Sequence, residues 1–292
     1  MSTVWRTLLE LWRAPFNAAS FLIRSRLRWR RGTPPLPNEP KEALFDYLPP
    51  EQAQRCEQRE KELRQRYRLE TLHTASRRAD YRENLYVLDA LASVGDAIAA
   101  TLPERVRVLD VGSKNFAYAY ALERFFTWHG AAQPRTVEVD GVEIDGYGIY
   151  DNLHSRADYA HAHAERAGAG RVRYHVLDVL DWHRRPYEAI TWFYPFLTRY
   201  PLLVWGLPLR HYRPRALLAH VLSLLAPNGV LVSLHQTSLE RDRMRALLAE
   251  HDLAPTAVVP VRSRLVRHWR AGEDRWLLVT RRPAALPTDT ER

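Results

Sequence analysis

The sequence predicts an α/β fold: a mostly parallel seven-stranded sheet with helices on both faces, preceded by a helical N-terminal extension. Two observations carry this. Apolar runs of strand length recur from residue 105 onward, and helix-length segments separate them, which is the pattern of a parallel sheet. The first run sits in residues 105–122, RVRVLDVGSKNFAYAYAL, and passes through an acid and a glycine straight into a helical pattern. A turn of that kind leaves backbone N–H groups free at the carboxyl end of the strand.

Within that stretch Val106, Val108 and Leu109 supply the strand, and Asp110 is expected to end it. Gly112 opens the turn, and residues 116–122 read as helix. The turn is not a dinucleotide fingerprint, which requires three glycines. It is not a P-loop either, because Lys114 lacks the following Ser or Thr. On its own it is a modest signal, and a structural strand-to-helix turn is the alternative.

The downstream runs are 136–144 (TVEVDGVEI), 172–177 (VRYHVL), 188–193 (EAITWF), 230–234, 257–261 and 275–280. Glu143 lies near the end of the second run and Asp178 follows the third. The fifth run follows Leu225, Pro227, Asn228 and Gly229. This series resembles the class I S-adenosylmethionine-dependent methyltransferases over roughly residues 84–282, and so implies a Rossmann-like sheet whose last two strands close as an antiparallel pair. It also implies that S-adenosyl-L-methionine is the cofactor. Asp110, Gly112, Ser113 and Asn115 would frame it, Glu143 would take the ribose hydroxyls, and Asp178 with Val179 would take the adenine. The sequence departs from the family in having a single glycine in the first turn and Asn228 where a glycine is usual.

Glu143 and Asp145 are two apart and share a face of their strand. A carboxylate there can accept two hydrogen bonds from a diol, and Asp145 is the second choice for that role. A strand-end acid can also be purely structural. His235 and Tyr194 are the candidate catalytic residues. His235 ends the fifth run, where an imidazole with its ordinary pKa near ~6.5 can take a proton; it can equally be a structural histidine. Tyr194 follows the fourth run, and in the family that strand end faces the methyl group and its acceptor.

Residues 192–214 crowd aromatic residues among prolines, and 202–209 are too apolar for a free loop; they suit a lid over an apolar substrate, a piece of core or a segment that dips into a membrane. The expected acceptor is a small molecule or lipid-like. Two other readings remain open: a non-catalytic Rossmann-like binding or assembly protein, and, more weakly, a nucleic-acid methyltransferase.

The formal charge is +9. Residues 1–31 hold seven arginines against Glu10, a formal +6, so the excess sits mostly on the extension. No recognised nucleic-acid module accompanies it. Its apolar residues fall at helical spacing, with Pro15 expected to break or kink the pattern. No apolar run reaches the ~20 residues that span a bilayer. Three placements suit this extension: packed on the main domain, lying on an anionic membrane surface, or on nucleic acid.

Residues 32–40 form a Pro-rich linker within the 1–40 extension, and 41–83 form a charged helical segment whose apolar residues are Leu63, Tyr67, Leu69 and Leu72. The tail 283–292 is expected to be disordered. The single cysteine, Cys56, excludes an intrachain disulfide and is expected at the surface. His154, His161 and His163 lie in one helical segment without metal-binding spacing and are expected to be solvated. The sequence is read as cytoplasmic and bacterial, with possible membrane association.

Overall fold

The computed structural model describes residues 3–184, 186–266 and 274–284. Seven strands form one sheet: β1 (Arg105–Val111), β2 (Thr136–Glu143), β3 (Val172–Val176), β4 (Tyr187–Phe193), β5 (Leu225–His235), β6 (Ala257–Val261) and β7 (Arg275–Arg281). Their order is β3-β2-β1-β4-β5-β7-β6. Neighbours from β3 to β5 are parallel, while β7 runs antiparallel to both β5 and β6. This is the mostly parallel, Rossmann-like sheet with a closing antiparallel pair that the resemblance implied.

Ten α-helices appear among the described residues: α1 (Thr3–Leu27), α2 (Pro50–Tyr67), α3 (Glu70–Thr74), α4 (Arg78–Ala92), α5 (Gly95–Ala99), α6 (Ala119–Trp128), α7 (Arg156–Gly168), α8 (Arg199–Trp205), α9 (Pro214–Leu224) and α10 (Ser238–Ala249). The alternation of strand side chains divides the core into two layers. Val106, Val108, Val137 and Val139 meet α4, α6 and α7 through Leu85, Leu88, Phe125 and Ala160. Leu109, Val111, Ile190 and Leu231 meet α9 and α10 through Leu218, Val221, Met244 and Leu248. Leu63, Tyr67, Leu69 and Leu72 are buried in the first of these layers. At about 2 kcal/mol for each such side chain, they fix the charged segment onto the sheet's helical layer.

Three boundaries differ from expectation. Asp110 lies inside β1 and does not end it, because its carboxyl finds buried donors in Thr191 and Tyr118. The following helix starts at Ala119 because Lys114 and Phe116 adopt left-handed backbone, φ 53° and 55°. Pro15 does not end α1; the helix runs through it with the ring exposed. Cys56 is buried, not superficial, and burial pushes its thiol pKa up, which suits an inert side chain. His154 and His163 are likewise buried, and burial lowers His163 to about 4. Among the described residues no three His, Cys, Asp or Glu side chains converge as a metal would need. No described helix is long and apolar enough to cross a membrane. Most of the tail, from residue 285, lies outside the described residues.

The extension packs by one face. Phe21 joins Leu202 and Leu207 in a small cluster with Ile144, Phe196 and Tyr212. Asn17 Nδ2 donates to the carbonyls of Leu203 (2.9 Å) and Leu207 (3.2 Å). Thus α1 and α8 together roof the carboxyl end of the sheet.

The start of α6 is fixed from outside. Its N-cap, Tyr118, supplies no side-chain cap. Instead Asn84 of α4 accepts from the Ala121 amide (2.9 Å) and donates to the Ala117 carbonyl (2.7 Å), fully buried. An Asn84→Ala variant leaves both groups unsatisfied, so it is expected to lose about 3 kcal/mol in urea unfolding; a change below about 1 kcal/mol contradicts this account of the cap.

Candidate cofactor and active site

In an open α/β sheet, ligands bind at the carboxyl ends of the strands where the chain order reverses. Here β2 and β3 lie on one side of β1, and β4 and β5 on the other, so the reversal falls between β1 and β4. The turn after β1 opens there. Gly112 has φ 75°, is exposed, and has nothing within 4 Å of where a Cβ would stand. Left-handed backbone recurs at every second residue, 112, 114 and 116. Only the first is glycine, and left-handed geometry costs an L-residue ~1–2 kcal/mol. Phe116 is held in that state by burial. Its ring fills the space over Gly141 in β2, where a Cβ would stand 2.9 Å from the ring carbons and from Ser113 Oγ. The single glycine of the turn is thus matched by one on the neighbouring strand.

The turn's amides are not all free, contrary to the simple reading of a strand-to-helix turn. Gly112 N (2.9 Å) and Ser113 N (3.3 Å) donate to the Val142 carbonyl, and Lys114 N donates to Glu143 Oε2 (2.9 Å). Glu143 Oε1 accepts from the Asp145 amide (2.8 Å). Glu143 therefore ties the turn to the end of β2. It is buried, and loss of hydration pushes its pKa up. Each of its oxygens keeps a second lone pair for another donor.

Asp145, the second choice for the ribose, is committed elsewhere. Arg24 of α1 (2.5 Å) and Arg156 of α7 (2.6 Å) clamp it from both sides. Arg156 also lies over the Trp205 ring at 4.3 Å. The extension is therefore pinned to the strand ends by charge as well as by Phe21. Asp178 is half-buried. Its Oδ1 accepts from the Leu180 amide (3.1 Å), and Oδ2 pairs with Arg213 and faces His211 at 3.7 Å. Burial opposes its charge, but these donors hold its pKa down at about 2. Val179 is buried beside it. Asn115 is half-exposed, yet its Oδ1 is buried and has no partner among the described residues.

Asp110 faces inward. It accepts from Thr191 Oγ1 (2.5 Å) and Tyr118 OH (2.9 Å), and Ser113 Oγ donates to its carbonyl (2.9 Å). It is wholly buried, which raises its pKa to about 6 despite those donors. Its visible work is to join β1 to β4 beneath the crevice.

The two catalytic candidates lie in different surroundings. Tyr194 follows β4 with φ 55°, and its hydroxyl meets Tyr86 OH at 3.2 Å. Burial drives its pKa well up. His235 is wholly enclosed; Nε2 meets Ser233 Oγ at 2.9 Å, and burial lowers its pKa to about 3. It is neutral at pH 7 and has little drive to take a proton. Arg24, Arg156, His211 and Arg213 escape sequence reasoning, since nothing in their local pattern marks them as partners of distant strand-end acids.

No family model matches the chain, and no curated protein matches it. Solved structures of similar shape do. Magnesium protoporphyrin IX methyltransferase from Synechocystis PCC 6803, with S-adenosylmethionine bound, is 12% identical with a TM-score of 0.45, covering 77% of this chain and 97% of that one. Geranyl diphosphate C-methyltransferase from Streptomyces coelicolor A3(2) is 16% identical with a TM-score of 0.45, covering 66% and 75%. The N-methyltransferase NodS from Bradyrhizobium japonicum WM9 is 14% identical with a TM-score of 0.41, covering 69% and 94%. At these identities and scores the likeness carries neither substrate nor activity across.

Two outcomes test the turn and its buried acid. Lys114→Gly relieves a left-handed residue and is expected to raise stability by about 1 kcal/mol; a loss of that size contradicts the strain. A raised carboxyl pKa makes the folded state hold a proton the unfolded chain has lost, so Asp110 costs stability as pH rises from about 4 through about 6. The stability of Asp110→Asn minus that of the wild type should therefore climb by about 3 kcal/mol across that window; a flat difference refutes the buried ionisation.

Proposed function

We propose that the protein is an S-adenosylmethionine-dependent methyltransferase acting on a small-molecule or lipid-like acceptor. The observation that carries this is the joined pair of strand ends: Glu143 bonded to the turn after β1, with open space at Gly112 and, in the same turn, a buried Asn115 Oδ1 that has no partner among the described residues. These groups fit the cofactor. Asn115 Oδ1 is an acceptor for its amine end. The spare lone pairs of Glu143 suit a ribose diol, and Asp178 Oδ1 retains one for the adenine amine, with Val179 as an apolar wall.

The cofactor, when bound, supplies an electrophilic methyl carbon. The chain's part is to align an acceptor with it and keep water away. Tyr194, at the end of β4, is the residue assigned to the acceptor. Its high pKa and the low one of His235 leave neither of these two poised to strip a proton near neutrality. Alignment of an already nucleophilic acceptor therefore suits this site better than general-base catalysis, and His235 is assigned a structural place with Ser233. The aromatic cap formed by Phe196, Trp205 and Tyr212 against α1 suits an apolar acceptor.

A non-catalytic reading has one observation in its favour: the Gly112 and Ser113 amides are already satisfied inside the protein. Titration calorimetry separates the two. The protein is expected to bind S-adenosylmethionine and S-adenosylhomocysteine, with Asn115→Ala and Glu143→Ala each weakening both by ~10-fold or more while circular dichroism stays native. Absence of binding by the folded wild type refutes the enzymatic reading. Once an acceptor is found, Tyr194→Phe should lower kcat ~10-fold or more and His235→Asn less than ~3-fold; the reverse order displaces Tyr194.

A further inference from the structure

The inner face of α1 is accounted for by Asn17, Phe21 and Arg24. Its outer face is not. Trp12, Phe16, Ile23 and Leu27 are exposed by 82%, 72%, 58% and 73%. At ~100° per residue these four fall within about 60° of one another around the helix. That stripe is centred roughly 120° away from Asn17, Phe21 and Arg24. Exposed Arg13 and Arg26 border it, one on each side. Beyond the helix end, exposed Trp29 donates from Nε1 to the Leu153 carbonyl (2.8 Å), which sets exposed Leu153 beside it. Four large apolar side chains in line are too many for scattered surface positions.

We propose that α1 is a membrane-docking helix that lies in the surface of an anionic bilayer and holds the roof of the site there. An in-plane helix buries an apolar stripe at the headgroup boundary and places cations along both edges, where they meet lipid phosphates. The aliphatic stems of Arg13 and Arg26 reach outward as the ring and alkyl groups sink. A second copy of the chain fits less well, because a two-fold pairing of this stripe sets arginine borders against arginine borders. Nucleic acid fits less well too, because its phosphates have no use for the stripe.

The placement has a consequence for the site. The same helix seats Phe21 against Leu202 and Leu207 and sends Arg24 to Asp145 at the end of β2. One side of α1 thus faces lipid and the other closes the strand ends. Docking by this helix would set the covered strand ends next to the bilayer, where an apolar acceptor resides; that link rests on the methyl-transfer reading, and the docking surface does not.

Vesicle flotation tests the surface with the full chain. The wild type is expected to float with phosphatidylglycerol-containing vesicles, and much less with pure phosphatidylcholine or at high salt. A Trp12→Glu/Phe16→Glu/Ile23→Glu variant should bind at least about 10-fold more weakly. Arg13→Glu/Arg26→Glu should lose the preference for anionic lipid. All five side chains are exposed, and thermal unfolding of each variant checks that the fold is kept. Equal partition of wild type and triple variant overturns the proposal. So does a wild-type dimer that ignores vesicles and is broken by the triple substitution, since the stripe then belongs to a second copy. Calorimetry with S-adenosylmethionine on the same proteins separates the claims: lost cofactor binding with stripe-dependent flotation removes the methyltransferase reading and leaves the docking surface standing.

Discussion

One carboxylate organises the carboxyl edge of the sheet. Glu143 accepts the Lys114 amide from the turn after β1 and the Asp145 amide from the end of β2, and it does so while buried. An unpaired carboxylate in that position would cost several kcal/mol. With both amides it becomes a rivet between two strand ends. It fixes the shape of the turn in spite of left-handed Lys114 and Phe116, and its remaining lone pairs give the crevice an acceptor. The geometry that holds the turn and the geometry that would hold a ribose are therefore the same.

A second tier of carboxyls works around it. Asp110 lies under the crevice and joins β1 to β4 through Thr191. Asp145 receives Arg24 and Arg156, and Asp158 receives Arg30 and the Arg31 amide. The last two pairs take arginines from the extension. Two of the seven arginines of residues 1–31, Arg24 and Arg30, are thus paired with acids of the main domain. Arg13 and Arg26, exposed beside an apolar stripe, have a different character.

The sheet was legible in the sequence because parallel strands buried on both faces read as short continuous apolar runs. All seven runs became strands within a few residues. The register of the site was harder. Asp110 looked like a terminator because an acid inside a central strand is rare; the nearby Tyr118 and the distant Thr191 make it tolerable. The single glycine of the first turn read as a departure from the pattern, yet the backbone is left-handed at 112, 114 and 116, and Gly141, on another strand, makes room for the Phe116 ring. No local window contains that compensation. Glu143 and Asp178 were identifiable as strand-end acids, but their arginine and histidine neighbours come from α7 and the segment after α8, so their electrostatics could not be read locally. The same holds for α1: its periodicity marked it as amphipathic, while the choice of which face packs depended on α8.

The central claim is that a hollow over Gly112, edged by Glu143 and Asp178, receives an adenosyl group. A crystal structure of the protein grown with S-adenosylhomocysteine tests it most directly. The account predicts ligand density in that crevice, with the ribose hydroxyls on Glu143 and the adenine beside Asp178 and Val179. Density seated instead in the arginine-lined hollow beside Cys56, between α2 and β6, or strand ends that stay closed by α1 with no ligand at all, would contradict it.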